Sequence, residues 1–332
     1  MALDVKVKID LAMPIGSVGF GVPLILEIGA TKTIDFQKVN NITAVKNAGF
    51  AETSTVYKAA KALFMQNEAP ATIAVCAINE SVTSWLENID NLNKGWRQLI
   101  VVGNDVPVAD ISASIELTKD KLYFADLDIE SEVPFTINGI ERTVLVYCKA
   151  TEDYPSPAAA VVGATAGKLT GSINYKNMII KGIEPQDLTD TQIDDIHAKG
   201  GMTILLKAGD IVTSMGKVAG GQYIDLRDAI DYVISNIEYK TQKTLNVNDK
   251  IKFDDTGIAI LESVCVSVMR DAYLRGIIAT DENGEPMYTV NYATRAQCEP
   301  GDRAVRHYKG GQFAFTCAGA VDTVDVVGEL SV

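Results

Sequence analysis

The sequence predicts an α/β (α+β) protein with a central α/β domain, a smaller α+β domain towards the carboxyl end, and extended strand arms at both termini. Apolar and amphipathic runs take turns between residues 24 and 149, which is typical of strands and helices stacked in layers. Residues 223–240 and 256–275 repeat apolar side chains at helical spacing. Both chain ends alternate apolar and polar side chains, as half-buried strands do.

The amino half contains five apolar runs that predict strands and amphipathic runs that predict helices. Because helices follow strands in turn, parallel pairing is the expected arrangement. Asn104 and Asp105 precede the third helix and offer it a polar amino-terminal cap. The predicted strands are residues 24–28, 72–78, 98–102, 121–125 and 142–148, and the predicted helices are residues 53–66, 82–92 and 106–117.

Two local signals mark the start of helices after residue 150. A helix is predicted within residues 153–168, where Pro157 suits an early helical position. Thr189 and Gln192 have the spacing of a capping box before a second, short helix. The remaining predicted strands are residues 202–206, 211–217 and 312–317, the first two forming a hairpin, and Asn283-Gly284 predicts a further tight turn between strands.

Two long helices are expected to pack on a sheet through apolar stripes. In the first helix the stripe comprises Leu226, Ile230, Val233, Ile234 and Ile237, and it leaves Asp225, Asp228, Asp231 and Glu238 elsewhere. In the second helix the stripe comprises Ile260, Leu261, Val264, Val268 and Ala272.

Composition excludes several classes of protein. The 332 residues are 47% hydrophobic and 22% charged, as in ordinary globular proteins. The longest weakly polar run, residues 157–167, is shorter than the about 18 apolar residues of a membrane helix, and no secretory signal precedes residue 12. We therefore expect folding in a cytoplasm and no membrane insertion. The net charge of −13 disfavours direct nucleic-acid binding.

Nothing in the sequence predicts a catalytic, cofactor or metal site. Residues 163–168 differ from a phosphate loop by one missing residue and by Leu169 in place of Ser or Thr. His197 and His307 are the two histidines, and no Gly-x-Ser-x-Gly elbow accompanies them. The five cysteines are widely spaced, without a CxxC pair, and are expected to be isolated thiols: Cys76, Cys148, Cys265, Cys298 and Cys317.

The two chain ends carry the most informative pattern, because termini usually fray. Strands that continue to the first and last residues need an edge to pair with. The candidate inter-subunit contacts at the amino end are Leu3, Val5, Lys6, Val7, Lys8 and Ile9, and those at the carboxyl end are Val324, Asp325, Val326, Glu329, Leu330 and Val332.

The free energies of ordering and pairing favour arms that pair with a strand on both sides. Ordering the backbone of residues 3–11 costs about 9 to 18 kcal/mol, and the half-buried side chains and ladder hydrogen bonds return a similar gross sum. A tail paired on one edge is therefore marginal, whereas donation between strands of neighbouring subunits is stable. Lysines of one tail could face carboxylates of the other, at about 0.2 to 1 kcal/mol a pair. The pattern alone equally allows both tails to close the chain's own sheet.

Several segments of the carboxyl half resemble contractile tail sheath proteins of bacteriophages and phage tail-like injection systems. Residues 182–189 (GIEPQDLT) match a recurring segment of these proteins, and residues 201–204 match a strand that follows a short helix. Arg227, Asp228, Asp231 and Tyr232 match a helix of Arg-x-x-Asp-Tyr type, and residues 319–332 resemble the terminal strand. The resemblance covers residues 170–332, and the order of the segments carries it.

The resemblance implies a non-enzymatic structural subunit that polymerises helically around a tail tube and contracts to drive the tube through a target envelope. It implies donated strands between copies, contacts with tube, baseplate and tail terminator proteins, and assembly in a bacterial cytoplasm before incorporation into a virion tail or released particle. The implied organisation is an amino-terminal strand arm (1–20), an α/β outer domain (21–175), an inner sheath domain (176–318) and a carboxyl-terminal strand arm (319–332).

Two matters stay open at the level of sequence. Arg270, Asp271 and Arg275 are candidates for facing the tube, but they also fit a solvated helix face with positive charge near its carboxyl end. The layered amino half also fits a soluble α/β enzyme, either a hydrolase or a nucleotide-dependent oligomer. A tube or baseplate protein is a third possibility, because it would share the acidity and the polymer contacts.

Overall fold

The computed structural model describes residues 21–324, and three hydrophobic clusters organise this part of the chain. Two clusters cover opposite faces of a seven-stranded sheet. The third lies between two long helices and a β-hairpin. Of the predicted arm contacts only Val324 is among the described residues, and all the others lie outside them.

The large sheet has the strand order β2-β3-β1-β4-β5-β6-β7. Neighbouring strands are parallel except for β2 and β3. Every residue of β3, β4 and β6 is buried because helices cover both faces, so these strands are mostly apolar without alternation, and Arg97, Gln98 and Thr143 are buried polar exceptions. The strands are β1 (Val22–Glu27), β2 (Ile34–Val39), β3 (Ile73–Ala77), β4 (Trp96–Val102), β5 (Leu122–Leu127), β6 (Thr143–Tyr147) and β7 (Gly201–Met202).

Helices cover the two faces of the sheet in separate groups. Buried residues of the first group share a cluster with Ile25, and those of the second share a cluster with Leu24 and Leu26, because successive side chains of β1 point to opposite faces. The first group is α1 (Ile42–Asn47), α2 (Thr55–Phe64) and α6 (Pro157–Thr165). The second is α3 (Val82–Glu87), α4 (Ile89–Leu92), α5 (Val108–Glu116) and α7 (Asp190–Ala198).

Helix α6 is buried along its whole length. Ser156 caps it and Pro157 occupies its first turn. A Cβ atom at Gly163 would lie 2.3 Å from the carbonyl oxygen of Leu63 in α2. The sequence Gly163 to Lys168, which is loosely like a phosphate loop, thus belongs to the packed end of this helix.

A small antiparallel hairpin and an additional helical pair complete the described chain. Strands β8 (Ile204–Lys207) and β9 (Asp210–Thr213) pair with each other, and Ile179 bridges to β9. The long antiparallel helices are α8 (Ile224–Val247) and α9 (Asp255–Leu274). They are followed by β10 (Tyr288–Tyr292), a 3-10 turn (Arg295–Gln297), α10 (Pro300–Ala304) and β11 (Gly311–Phe315).

The structure confirms the α+β class and most predicted elements. The five predicted strands of the amino half form parallel ladders, the hairpin at β8 and β9 is present, and Thr189 and Gln192 form the capping box. Strand β2 was not predicted. The predicted helix at 82–92 is divided at Asn88, whose backbone is extended and whose side chain caps α4.

Other expectations were wrong in detail. Helix α5 begins after Pro107, without a side-chain cap from Asn104 or Asp105. In α9, Ile260 is exposed, whereas Ile258, Cys265 and Met269 are buried, because the helix packs against α8 and β10 on a slightly rotated face. Strand β7 returns to the large sheet from beyond residue 175, and the proposed division into domains remains a prediction.

Candidate assembly surface

The hairpin of β10 and β11 has two open edges. The carbonyl oxygen of Met287 accepts a hydrogen bond from Thr316, and the amide of Ala293 donates to Gly310. Because hydrogen-bonded pairs alternate in an antiparallel ladder, the backbone groups of residues 288, 290 and 292 point away from β11, and those of residues 311, 313 and 315 point away from β10. Ile278 and Thr280 form single antiparallel bridges at the base of the hairpin, but within residues 21–324 no third strand pairs along β10 or β11.

One face of this hairpin closes the third hydrophobic cluster. The predicted alternation in the last described strand is confirmed, because Phe313 and Phe315 are half-buried and Gln312 and Ala314 are exposed. The side chains that pack on the helical pair are Tyr288, Val290, Tyr292, Phe313, Phe315 and Cys317. The open edges therefore belong to a sheet whose position is fixed by α9.

An aromatic stack holds the far end of the hairpin. The rings of Tyr292 and Tyr308 are stacked with centroids 5.8 Å apart, and Phe253 meets Tyr308 edge-on at 5.9 Å. The Tyr308 hydroxyl donates a 2.9 Å hydrogen bond to the carbonyl of Ala293. These contacts tie the loop between β10 and β11 to the start of α9.

Two hydrogen bonds to Asp322 fix the position of the segment that follows the hairpin. Asn174 Nδ2 donates to the Asp322 carboxylate over 2.7 Å, and Lys176 Nζ donates to the main-chain oxygen of Asp322 over 3.1 Å. Val324, the last described residue, is 74% exposed. Its apolar side chain has no cover within the described chain.

The amino segment enters the large sheet next to β4. Gly21 has a φ of +85°, and a Cβ atom there would lie 2.9 Å from Cβ of Arg97. Val22 is in register with Trp96, and its amide donates to Gly95. The backbone at the root of the amino arm therefore lies directly against Arg97.

Arg97 belongs to a buried ionic cluster that sequence reasoning missed. Asp228, Asp231 and Glu238 were predicted to lie off the packed stripe of α8, but all three are buried. Asp228 and Asp231 match a segment of the family resemblance. The sequence did not indicate which residues they contact, because these partners are far away in sequence. We define the ionic cluster by its members: Arg97, Arg142, Tyr175, Asp228 and Asp231.

The cluster compensates its charges by direct hydrogen bonds. Arg142 donates two parallel bonds of 3.0 Å to the two oxygens of Asp231, and Arg97 donates a third bond of 3.0 Å to the same carboxylate. Arg97 also donates to Asp228. Paired arginine and carboxylate groups of this geometry are tolerated without water because donors and acceptors are matched.

Tyr175 completes the ionic cluster and also belongs to the hydrophobic cluster that contains Ile25. Its hydroxyl donates to Asp228 over 2.7 Å. Burial, and then the adjacent Asp228 carboxylate, raise the pKa of Tyr175 well above its usual value. The hydroxyl therefore stays protonated and acts as a donor.

The three predicted tube-facing residues lie at the end of α9 and make different contacts within the described chain. Arg270 is exposed on α9. The Asp271 carboxylate binds Lys240 of α8, and the Arg275 guanidinium lies 4.9 Å from the ring centre of Tyr232. Arg270 thus remains the candidate whose head group faces solvent.

His197, one of the two histidines, contacts a buried serine. His197 Nε2 lies 2.9 Å from Ser214 Oγ, but Ser214 is buried and also accepts the amide of Thr203. Within the described ranges no group of three histidine, cysteine or acidic side chains could hold a metal ion, and no helix there is long and apolar enough to cross a membrane.

No family model and no curated protein matches the sequence. Solved structures do match the fold. A chain of the anti-feeding prophage baseplate is 13% identical, with all of both chains covered and a TM-score of 0.75. The sheath complex of the extracellular contractile injection system PVC in its contracted state is 13% identical, covering 100% of this chain and 98% of that one, with a TM-score of 0.72.

A crystallised sheath tail protein from Listeria innocua is 10% identical, covering 83% of this chain and 89% of that one, with a TM-score of 0.58. Similarity at these identities concerns the fold. The chain has the fold of sheath proteins of contractile injection systems, over its whole length, as the resemblance of its carboxyl half implied.

Proposed function

We propose that this protein is the structural subunit of a contractile sheath, which polymerises helically and shortens to drive an inner tube through a target envelope. The observation that carries the proposal is the hairpin of β10 and β11, open at both edges within the described chain, in a fold shared with assembled sheaths along its full length. An exposed pair of strand edges invites pairing with another chain.

The occupants of these edges are the terminal arms of other copies. The arms have the period-2 pattern that an added strand requires: one apolar face to cover the sheet and one polar face for solvent. Two arms, one beside β10 and one beside β11, convert a marginal two-stranded hairpin into a four-stranded sheet. Each copy then holds its neighbours through main-chain hydrogen bonds that survive a change in the angle between subunits.

The tube side of the subunit is proposed to be the exposed face of α9 around Arg270. A groove between α8 and α9 lies on the same face and is lined by Lys243, Thr244, Ser263 and Ser267 among others. Lys240 of the groove is paired with Asp271, so Lys243 and Arg270 supply the cationic character of this face in a chain of net charge −13. It suits an acidic stripe on a tube, and Arg270→Glu should weaken tube binding in cosedimentation while sheath-only polymers still form.

Contraction needs no chemical step at the subunit. A metastable extended array is released by a trigger at the baseplate, and subunits rotate to bury more complementary surface. A gain of a few kcal/mol per subunit is sufficient, because linked neighbours change state together and about 5.5 kcal/mol reverses a two-state equilibrium from 1:99 to 99:1. Assembly takes place in the bacterial cytoplasm, together with tube, baseplate and tail terminator proteins.

The test is deletion of either arm followed by electron microscopy. Removal of residues 1–10 or of residues 323–332 should abolish tubes while leaving a folded monomer, because the acceptor hairpin and the Asp322 contacts are retained. The matched control is Leu117→Ser, which replaces an exposed apolar side chain outside this surface. Wild-type tubes from both deletions would contradict the proposal.

A baseplate component with the same fold is the second candidate, since a baseplate chain of the anti-feeding prophage matches the whole of this chain. Particle shape separates the two. Hollow cylinders of two diameters indicate a sheath, whereas a flat ring that does not elongate indicates a baseplate part.

A further inference from the structure

Buried charges lie where the two halves of the described chain meet. The hydrophobic clusters on the large sheet and the cluster between α8, α9 and the hairpin are separate. Of α8, Ile224 belongs to a sheet cluster, and Ala229 is the first residue that belongs to the third cluster. Asp228 and Asp231, which bind Arg97 and Arg142 of the sheet, lie at this transition.

The ionic cluster also lies at the root of the amino arm. Arg97 is the second residue of β4, and Gly21 packs against its Cβ atom. Glycine is needed there, because its φ is positive and any side chain would collide with β4. The amino arm continues into β1, whose first residue pairs with the strand that carries Arg97, so a pull on the arm loads this strand through β1.

A path of contacts leads from the root of the amino arm, through the ionic cluster, to the hairpin of β10 and β11, which is the proposed acceptor. Asp228 and Asp231 are fixed in α8, α8 packs along α9, and α9 packs on β10. Beyond the ionic cluster, α8, α9 and the hairpin share one hydrophobic cluster, which includes Val233 and Val268. The ionic cluster is the buried polar contact on this path, and the pair of Arg227 with Glu141 and the contacts of Asn174 and Lys176 with Asp322 lie nearer the surface.

We propose that the ionic cluster is the mechanical joint that transmits load from the donated amino arm of a subunit to the hairpin with which the same subunit holds a neighbour. This inference rests on the proposed function. Apolar surfaces can slide while staying buried, whereas the two-pronged pair of Arg142 with Asp231 fixes an angle as well as a distance. A sheath that changes the angle between subunits needs each subunit to keep its own shape.

The test is single-molecule pulling on the monomer, which requires no polymer. Handles are placed at the amino terminus and at residue 312 of β11, through Gln312→Cys in a background in which both half-buried thiols are removed by Cys298→Ser and Cys317→Ala. The test variant is Arg142→Met with Asp231→Leu, which removes one charge of each sign and keeps the volume. The control is Lys240→Met with Asp271→Leu, which removes the partly exposed ion pair between α8 and α9.

In the parent protein we expect both halves to yield together in one event. In the test variant we expect an additional event at lower force, in which the unit of α8, α9 and the hairpin separates from the large sheet, and the control should behave as the parent does. Equal force traces for all three proteins would overturn the proposal.

A milder variant keeps the test valid if the double variant fails to fold. Tyr175→Phe removes the hydroxyl that binds Asp228 and nothing else from the cluster. Amide hydrogen exchange should then be about 10-fold faster in α9, β10 and β11 than in the parent, while β1 and β3 are unchanged. Amide exchange that is equally faster in the large sheet and in the helical unit would overturn the proposal. A Tyr175→Phe variant that forms tubes and shows unchanged exchange would also overturn it, while leaving the sheath function intact.

Discussion

Arg142 and Asp231 face each other through two parallel hydrogen bonds of 3.0 Å, although 89 positions separate them in the sequence. Arg142 stands immediately before β6 and Asp231 lies in the first half of α8. This pair is where the large sheet and the helical pair meet, and both side chains are almost completely buried.

Removal of one partner should be strongly destabilising. Asp231→Ala leaves two buried guanidinium groups short of a carboxylate, and we expect the free energy of unfolding to fall by about 3 to 5 kcal/mol. Asp271→Ala breaks the partly exposed pair with Lys240 and should cost about 0 to 1 kcal/mol. Urea denaturation followed by circular dichroism measures both, and equal losses would show that burial of the pair is energetically unimportant.

The pH dependence of stability should contain a contribution from Asp126. Burial raises the pKa of Asp126 to about 7, against the opposing effect of hydrogen bonds from Ser156 Oγ and the amide of Ala158. Its pKa in the unfolded chain is about 3.9, so the folded state binds this proton more tightly and stability falls as pH rises from about 4 to about 7.

Asp126→Asn removes this titration while it retains an oxygen that can accept from Ala158. Urea midpoints at pH 4.5 and pH 7.5 should therefore differ less in the variant than in the parent protein. An unchanged difference would assign the pH dependence to other groups.

Thiol reactivity should follow burial. Burial raises the pKa of Cys76 and of Cys265 to about 11 and that of Cys148 to about 12, so at neutral pH these thiols are protonated as well as inaccessible. Cys298 and Cys317 are both half-buried, but burial raises the pKa of Cys317, so Cys298 should react first with iodoacetamide in the native protein. Mass spectrometry of Cys298→Ser should show loss of the fast adduct, whereas fast labelling of Cys148 would contradict the packing.

The close approach of α6 to α2 gives a further test. Gly163→Ala places a methyl group 2.3 Å from a main-chain oxygen of α2, and the resulting displacement should cost about 1 to 3 kcal/mol. Gly301 is also helical, but its added Cβ meets no atom within 4 Å. Gly301→Ala should be neutral or slightly stabilising. A similar melting temperature for both variants would contradict the tight packing.

The sequence predicted the strands and helices of the fold, but it did not predict the ionic cluster that connects the large sheet to the helical pair. Periodicity identified the parallel strands and the long helices, because burial of whole faces leaves a repeating signal. The acidic residues of α8 broke the apolar pattern and were predicted to lie off the packed stripe, since nothing near Asp231 in the sequence indicates a contact with Arg97 or Arg142. Strand β2 was missed for a similar reason: as an antiparallel edge strand it is largely exposed and polar, with Asp35, Gln37 and Lys38.

The candidate assembly surface was predictable only in part. The alternation at Phe313 and Phe315 indicated a half-buried strand, and the family resemblance indicated donated arms. The open edges are a property of pairing between β10 and β11, which residue patterns do not reveal. The same limit applies to Arg270, Asp271 and Arg275, which are neighbours in one helix but make different contacts.

The most direct measurement is a high-resolution electron cryo-microscopy reconstruction of the assembled protein, with the chain traced through both arms. The proposed function predicts a four-stranded sheet at every subunit, in which residues 3–11 of one copy and residues 324–332 of another flank β10 and β11. Cylinders in which both arms pair within their own subunit, or in which the edges of β10 and β11 stay unoccupied, would contradict it.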